Sequence, residues 1–84
     1  MIDAFKTTLL SLPDGAYDVR YHDKRYALRK STHLKGKLIK LYAYALGDKD
    51  FVSLNYYPDL ENGLKPCEMP AEKVKDFVLN LIKT

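Results

Sequence analysis

The sequence predicts one α+β domain over residues 1–84, in which an antiparallel meander of four or five strands carries a helix from each terminus on one face. Three observations predict this class. Apolar residues recur at helical spacing at both ends of the chain, they alternate with polar residues between those ends, and turn-forming residues separate the alternating segments. Because an amphipathic helix needs an apolar surface to cover, we expect both helices on the same face of the sheet.

The N-terminal segment has the spacing of an amphipathic helix. Its apolar residues fall at steps of three, four and three, at Ile2, Phe5, Leu9 and Leu12. Asp3 lies in the first turn, where a negative charge interacts favourably with the helix dipole. Pro13 disfavours helical geometry at the residue before it and an Asp-Gly pair follows, so the helix is expected to end at about Ser11.

The segment between residues 17 and 57 changes to an apolar period of two, which is typical of strands. It predicts strands over residues 17–21, 25–29, 37–46 and 51–57. A turn at residues 22–25 joins the first two, and residues 31–36 form a polar loop before the third. Asn62-Gly63 is a strong hairpin signal, so residues 64–67 are expected to form a short fifth strand. Pro66 cannot donate to a ladder, which predicts that this strand lies at an edge.

The C-terminal segment has the clearest helical pattern. Its apolar residues fall on one stripe, at Val74, Phe77, Val78, Leu81 and Ile82. Pro70 suits the first helical position, and Lys83 suits the last turn because a cation there complements the helix dipole. The sequence therefore predicts a second helix from Pro70 to the end of the chain.

The period of two assigns the strand residues to two faces. The face beneath the helices is expected to hold Val19, Leu28, Ile39, Leu41, Val52 and Leu54. The opposite face then holds Arg20, Arg25, Arg29, Lys40, Tyr42, Tyr44, Ser53, Asn55 and Tyr57. Because it combines tyrosines with basic residues, this second face is the main candidate for binding.

The charge of the chain is unevenly distributed. Residues 20–40 hold eight basic residues and one acidic residue, a net charge of +7, whereas the remaining residues carry −4. Such a distribution bears on the choice of partner more than on the fold. The basic segment would neutralise phosphates, and Tyr42, Tyr44 and Tyr57 could stack on bases, which favours nucleic acid. The same tyrosines and arginines are also typical of protein interfaces, including that of a homodimer.

Several kinds of chemistry have no motif in this sequence. A nucleophile elbow, a glycine-rich phosphate loop, a C-x-x-C pair and an H-E-x-x-H motif are all missing. His22 and His33 are eleven residues apart with no cysteine near them, so neither a metal nor a cofactor is expected. The N-terminus does not resemble a signal peptide and no apolar run is long enough to cross a membrane, so we expect a cytoplasmic protein.

Cys67 is the single cysteine of the chain and lies between Pro66 and Pro70. A thiolate is favoured near a helix N-terminus and near a lysine, and Lys65 is close in sequence. Glu68 opposes this, because its negative charge is adjacent. The alternative is that Cys67 is a small packed residue where an edge strand leads into the last helix. On the second interpretation Cys67 has a structural role.

The run GKLIKLYAYALGDKDFVSLNYY, followed by LKPCEMPAEKVKDFV, resembles a family of small proteobacterial proteins of about this length. The resemblance extends from about Leu12 to Leu81, and many members carry the name peptide methionine sulfoxide reductase. The A-type reductases have a G-C-F-W motif that has no counterpart here. The B-type enzymes carry a K-R-Y-C run and zinc-binding cysteine pairs, whereas this chain has Lys24-Arg25-Tyr26 followed by Ala27. A reductase activity would therefore have to use Cys67.

The residues thus favour a non-catalytic binding or assembly domain that acts through the second face of the sheet, with a protein partner or a second copy of the chain. Two alternatives remain open. One is nucleic-acid binding through the basic segment of residues 20–40. The other is a thiol reductase that acts through Cys67.

Overall fold

The computed structural model describes residues 3–83 and confirms the α+β class. In chain order its elements are α1 (Ala4–Ser11), β1 (Gly15–Tyr21), β2 (Lys24–His33), a 3-10 turn (Leu34–Gly36), β3 (Leu38–Ala45), β4 (Phe51–Tyr56), β5 (Leu64–Pro66), α2 (Ala71–Asn80) and β6 (Ile82–Lys83). The strands form one antiparallel sheet in the order β5-β4-β3-β2-β1-β6. Both helices lie on one face of this sheet, as predicted.

A sixth strand joins the predicted meander. α2 follows β5 at one edge of the sheet and leads into β6 at the other, so the C-terminal segment crosses the sheet. Ile82 lies opposite Arg20 and Lys83 lies opposite Val19. The prediction that the helical stripe continues through Ile82 is wrong, because the helix ends at Asn80 and Ile82 is 63% exposed. The free edge of β1 offers backbone hydrogen bonds that a further helical turn could not use.

The core lies between the helices and the sheet, and its predicted members are confirmed. Val19, Leu28, Ile39, Leu41, Val52 and Leu54 are all 2% exposed or less. Four aromatic side chains fill the space between the layers. Phe5 of α1 meets Tyr56 edge to face at 5.6 Å between ring centroids, and Phe77 of α2 meets Tyr26 at 5.1 Å. Such pairs stabilise a core by about 0.5–1.5 kcal/mol beyond the area that they bury.

The start of α1 differs slightly from the prediction. Asp3 is the N-cap residue, and its carboxylate accepts a hydrogen bond from the Lys6 backbone N–H at 3.2 Å. Such a cap satisfies one of the free N–H groups of the first turn. The predicted helical residue Ile2 lies outside the described residues.

The tight two-residue hairpin turn lies at His22-Asp23, where the sequence signal is the weaker one, and not at Asn62-Gly63. His22 and Asp23 have φ values of 50° and 63° and join paired Tyr21 and Lys24, which makes them a two-residue turn of type I′. Histidine and aspartate tolerate this left-handed region better than most residues. Asn62 and Gly63 do not have positive φ, and they end a longer connection between β4 and β5. Gly63 is nevertheless required, since a Cβ there would lie 2.0 Å from the Tyr57 carbonyl oxygen.

The predicted polar loop at residues 31–36 is shorter than expected. β2 continues through His33, because Ser31, Thr32 and His33 pair with Lys40, Ile39 and Leu38 of β3. Polar residues form this part of the strand since the neighbouring strand satisfies their backbone groups. The turn itself is limited to residues 34–37, and Leu34 and Lys35 have positive φ.

Lys30 belongs to the covered face, although the charge count assigns it to the basic segment. It alternates with Tyr26 and Leu28, and it is 4% exposed. Its Nζ donates to the Leu12 carbonyl oxygen at 2.5 Å and lies 3.5 Å from Asp14 Oδ1. These two partners at the end of α1 compensate the burial of its charge. One of the eight positive charges is therefore removed from the surface that a partner would meet.

A polar cluster holds the start of α2 against the β3–β4 turn. Asp50 accepts hydrogen bonds from Lys73 Nζ and from the Tyr26 hydroxyl, both at 2.7 Å. The bond from Lys73, followed by that from Tyr26, lowers the pKa of Asp50 below its ordinary value. Burial, followed by the bond to Asp50, raises the pKa of Tyr26. Both shifts favour the paired state at neutral pH.

Neither helix of the described chain has the length and apolar character that a membrane-spanning helix requires.

Candidate functional site

The face of the sheet that the helices leave uncovered is the candidate site, and we call it the open face. Its residues are the alternate strand positions that point away from α1 and α2. They are Ala16, Asp18, Arg20, Arg25, Ala27, Arg29, Ser31, His33, Leu38, Lys40, Tyr42, Tyr44, Phe51, Ser53, Asn55, Lys65 and Ile82.

Three aromatic side chains lie at the centre of the open face, and we call Tyr42, Tyr44 and Phe51 the aromatic cluster. Tyr42 and Tyr44 are both 47% exposed and Phe51 is 38% exposed. The ring centroid of Tyr42 lies 6.0 Å from that of Tyr44 and 6.2 Å from that of Phe51. The rings therefore form a connected apolar surface that remains accessible. Phe51 is absent from the predicted site, although its alternation with Ser53 and Asn55 indicates this face.

Basic residues border the aromatic cluster on two sides. Arg29 is directly opposite Tyr42 on the neighbouring strand. Lys40, Asn55 and Lys65 form one row across β3, β4 and β5. Arg20 and Arg25 form another row near the opposite ends of the strands. The sheet thus places the predicted strand residues, Tyr57 excepted, on one face, and it adds Lys65, which the sequence interpretation missed.

The open face carries a positive charge. Its described residues include five basic side chains, Arg20, Arg25, Arg29, Lys40 and Lys65, and one acidic side chain, Asp18, which amounts to +4. Asp18 Oδ2 lies 4.0 Å from Arg25 Nε. Since all six side chains are exposed, water and salt screen this field, but a long anion could contact several of the charges at once.

Two shallow depressions meet on the open face. One, of about 240 Å³, is lined by Arg29, Ser31, Lys40, Tyr42, Ser53 and Asn55. The other, of about 180 Å³, is lined by Ala16, Ala27, Arg29, Tyr42 and Tyr44. Arg29 and Tyr42 border both depressions. The small residues Ala16, Ala27 and Ser53 leave space beside the rings, so a flat ligand could lie against the aromatic cluster.

Tyr57 does not belong to the strand pattern that predicts it on this face. β4 ends at Tyr56, whose side chain is buried. Tyr57 is half-buried in the connection to β5, where its N–H donates to the Gly63 carbonyl oxygen at 3.0 Å. The chain leaves the ladder at this residue because Pro58 cannot continue it. Phe51 occupies the role of third aromatic residue that the sequence interpretation gives to Tyr57.

Cys67 lies one residue beyond β5 and is half-buried. Its N–H donates to the Ser53 carbonyl oxygen at 3.0 Å, which extends the pairing between β4 and β5 by one position. Glu68 then turns the chain with a φ of 58° towards α2. The cysteine thus lies between the end of the edge strand and the connection that leads to α2, as the flanking prolines predict.

The two histidines lie far apart in the fold and have different partners. His22 stacks on Tyr21, and its Nε2 lies 3.8 Å from Asp76 Oδ2. His33 Nε2 lies 2.7 Å from Ser31 Oγ at the margin of the open face. Within residues 3–83 no group of three or more histidine, cysteine, aspartate or glutamate side chains has the geometry to hold a metal ion.

A wider cleft of about 510 Å³ lies on the opposite side of the molecule, between α1, α2 and the β4–β5 connection. Its charged lining residues are Asp3, Glu61 and Lys75, which come from three separate segments. Asp3 is already engaged as the N-cap of α1. The cleft therefore combines opposite charges and has no exposed aromatic cluster comparable to that of the open face.

A scan against models of known protein families, a search of curated proteins and a search of solved structures each found no significant match to this chain.

Proposed function

We propose that this protein is a non-catalytic binding module that holds an anionic partner on the open face of its sheet. The observation that carries the proposal is the position of the exposed aromatic cluster between two groups of basic residues. Tyrosine and arginine supply most of the binding free energy at many interfaces, because they combine a large contact area with hydrogen bonds.

The aromatic cluster supports a binding role because it leaves apolar surface exposed to water. The core on the other face is complete without these rings. Exposed apolar patches with polar borders commonly mark interaction sites. Tyr42, Tyr44 and Phe51 form such a patch, and the two tyrosine hydroxyl groups and the basic neighbours form its polar border.

The charge of the open face favours an anionic partner over a second copy of the chain. In an isologous dimer, the same face of each copy would meet the other. Such a dimer would bring a face of charge +4 against another of charge +4. Like charges placed together at an interface cost several kcal/mol unless a counterion intervenes. Self-association through the tyrosines is therefore a less favourable hypothesis for this surface than the binding of an anionic partner.

The side chains that line the depressions of the open face supply positive charge and hydrogen bonds. Arginine and lysine are cations, and tyrosine, serine and asparagine donate and accept hydrogen bonds. Cys67, on which a reductase would depend, is at the edge of the sheet. The proposal accordingly assigns recognition to the open face and a structural position to the thiol.

Mapping by nuclear magnetic resonance tests the proposal. The labelled protein would be titrated with inorganic polyphosphate and with a single-stranded oligonucleotide, and its own concentration would be varied separately. We expect at least one anionic probe to shift the amide signals of Arg29, Tyr42 and Ser53 and to leave those of α1 unchanged. If no anionic probe shifts these signals, or if the shifts lie around the cleft between the helices, the proposal is wrong.

A further inference from the structure

We infer that the anionic partner is a single-stranded nucleic acid, whose bases stack on the aromatic cluster and whose phosphates contact the surrounding basic residues. This inference rests on the proposed function of the open face and names the chemistry of its ligand. It depends on three features of the surface, which are the exposed rings, the position of the charges and the width of the sheet.

The rings of the aromatic cluster have the exposure that base stacking requires. Tyr42 and Tyr44 are two residues apart on the central strand β3, and Phe51 is opposite Tyr44 on β4. The Tyr42 centroid lies about 6 Å from those of Tyr44 and Phe51, and each of the three residues keeps more than a third of its surface accessible. Neighbouring rings thus form a platform for successive bases. Stacking is tolerant of sequence because every base has a π-face.

The charges are placed where the backbone of a strand lying on this platform would run. Arg29 adjoins Tyr42, and the row of Lys40 and Lys65 lies beyond it on one side. Arg20 and Arg25 lie beyond Tyr44 on the other side. A strand with its bases at the centre would therefore have cations within reach of its phosphates at either border. An acidic peptide or a polyphosphate would use the charges but would leave the aromatic cluster without a function.

Polar side chains at the border can contact base edges. Asn55 lies between Lys40 and Lys65, and its amide both donates and accepts hydrogen bonds. Ser53 is opposite Tyr42 and lines the same depression as Arg29. These groups could contact an unstacked base but are few, so we expect a modest sequence preference in addition to stacking.

The width of the sheet favours a single strand over a duplex. Strands β1 to β5 span four spacings, or about 19 Å, whereas the major groove of DNA is about 12 Å wide. A sheet of this width cannot enter the groove, and a duplex hides the faces of its bases. A single strand laid across the open face, at about 3.4 Å per nucleotide, would cover it with about five or six nucleotides. That length falls within the range found for small single-strand-binding domains.

The central experiment measures binding by fluorescence anisotropy at low and rising salt. Its probes are single-stranded DNA and RNA oligonucleotides of about twelve nucleotides, the matching duplex, and a single strand of the same length that lacks its bases. The strand without bases keeps the phosphates and removes only the stacking. We expect the intact single strands to bind at least about fivefold more tightly than the strand without bases and than the duplex.

A pair of variants at one position separates stacking from general apolar contact. Tyr42→Leu keeps an apolar side chain of similar size but loses the aromatic ring, whereas Tyr42→Phe keeps the ring. We expect Tyr42→Leu to weaken binding of the intact single strand by about 5- to 150-fold and Tyr42→Phe to change it little. Equal effects of the two substitutions would overturn the inference.

A second pair tests the position of the charges. Arg29→Gln and Lys75→Gln each remove one positive charge, but Lys75 is on α2, on the helix side of the molecule. We expect Arg29→Gln to weaken binding and to make the slope of log K against log salt shallower by about 0.7, as for the loss of one phosphate contact. Lys75→Gln should leave the affinity and the salt slope unchanged. An equal effect of the two variants would contradict the inference that the phosphates follow the open face.

The outcomes separate the inference from the proposed function. If polyphosphate and the strand without bases bind as tightly as the intact strand, the open face binds anions but the partner is not a nucleic acid. If the duplex binds best, the single-strand inference is wrong. If none of these probes binds, both proposals fall. If the protein instead self-associates through the open face and does not bind the oligonucleotides, the open face is an assembly surface, and both proposals are again wrong.

Discussion

The two faces of the sheet are made from alternate residues of the same strands, yet they have opposite relations to the rest of the chain. On the covered face, Leu41, Leu54 and their neighbours meet α1 and α2 and lose nearly all contact with water. On the open face, Tyr42 is 47% exposed and Phe51 is 38% exposed, although Lys73 Nζ of α2 lies 6.0 Å from the centroid of the Phe51 ring. The covered face thus accounts for stability, and the open face is available for recognition. The following predictions test this division, from the largest expected effect to the smallest.

The neighbours Leu41 and Tyr42 provide the most direct test, because they point to opposite faces. Leu41→Ala should lower the free energy of unfolding by about 2–5 kcal/mol, since it leaves a cavity in the core. Tyr42→Ala should lower it by less than about 1 kcal/mol, because this residue is 47% exposed. Urea denaturation measures both. Comparable losses would mean that the open face is part of the stabilising core.

Gly63 tests the connection between β4 and β5, which places β5 at the edge of the sheet. Gly63→Ala would place a Cβ 2.0 Å from the Tyr57 carbonyl oxygen, so the backbone of the connection must move. We expect a loss of about 1–3 kcal/mol, as for other overpacked sites. Thermal or urea unfolding would measure it, with Asn62→Ala at the exposed preceding residue as the control. A neutral Gly63→Ala variant would show that this connection is adaptable.

Asp50 tests whether acid weakens the contact between α2 and the sheet, to which Asp50 contributes through Lys73 and Tyr26. Its folded pKa is lowered, so it contributes stability that is present above its unfolded pKa of about 3.8 and lost as the pH falls through the folded value. Asp50→Asn should therefore cost about 1 kcal/mol at neutral pH, after allowance for partial exposure, and less in acid. Stability measured between about pH 2 and 7 gives the difference from wild type.

The control for this experiment is Asp59→Asn, which removes a negative charge from an exposed position on the β4–β5 connection. Its stability should follow that of the wild type across the same pH range. If the free energy of unfolding of Asp50→Asn has the same pH dependence as that of the wild type, the contacts of Asp50 with Lys73 and Tyr26 do not stabilise the packing of α2 on the sheet.

Cys67 gives the smallest expected effect. Cys67→Ser is nearly isosteric at a half-buried position beyond the edge strand, so stability should change by about 0.5 kcal/mol or less. Binding of a single-stranded oligonucleotide should be unchanged. An assay of methionine sulfoxide reduction would show no dependence on the thiol. If the wild type reduced methionine sulfoxide and Cys67→Ser did not, the proposal of a non-catalytic protein would be contradicted.

Much of the candidate site follows from the period of two in the sequence. Alternation alone assigns Arg29, Lys40 and Tyr42 to one face, and the structure brings them together there. The same rule indicates Phe51, which the sequence interpretation did not use. The prediction for Tyr57 extends the alternation one residue past the end of β4, so the strand itself does not assign this residue to a face. The pattern is thus informative within a strand but does not show where the strand ends.

Lys30 and β6 show what the local pattern leaves open. Alternation assigns Lys30 to the covered face, whereas its charge argues for the surface. The conflict is resolved by the Leu12 carbonyl and by Asp14, which come from another part of the chain. Residues 82 and 83 continue a helical pattern in sequence but pair with β1 in the fold. In both cases, the partner is distant in sequence and its position depends on the assembled sheet.

The sequence by itself determined the fold class, the two faces of the sheet and the residues of the core, because hydrophobic burial imposes its period on each element separately. Only the tertiary structure decided which charges remain exposed, how the C-terminal segment closes the edge of β1, and which rings form the aromatic cluster. These features depend on the order and register of strands that lie far apart in sequence. A basic segment in the sequence thereby becomes a cationic border around exposed rings.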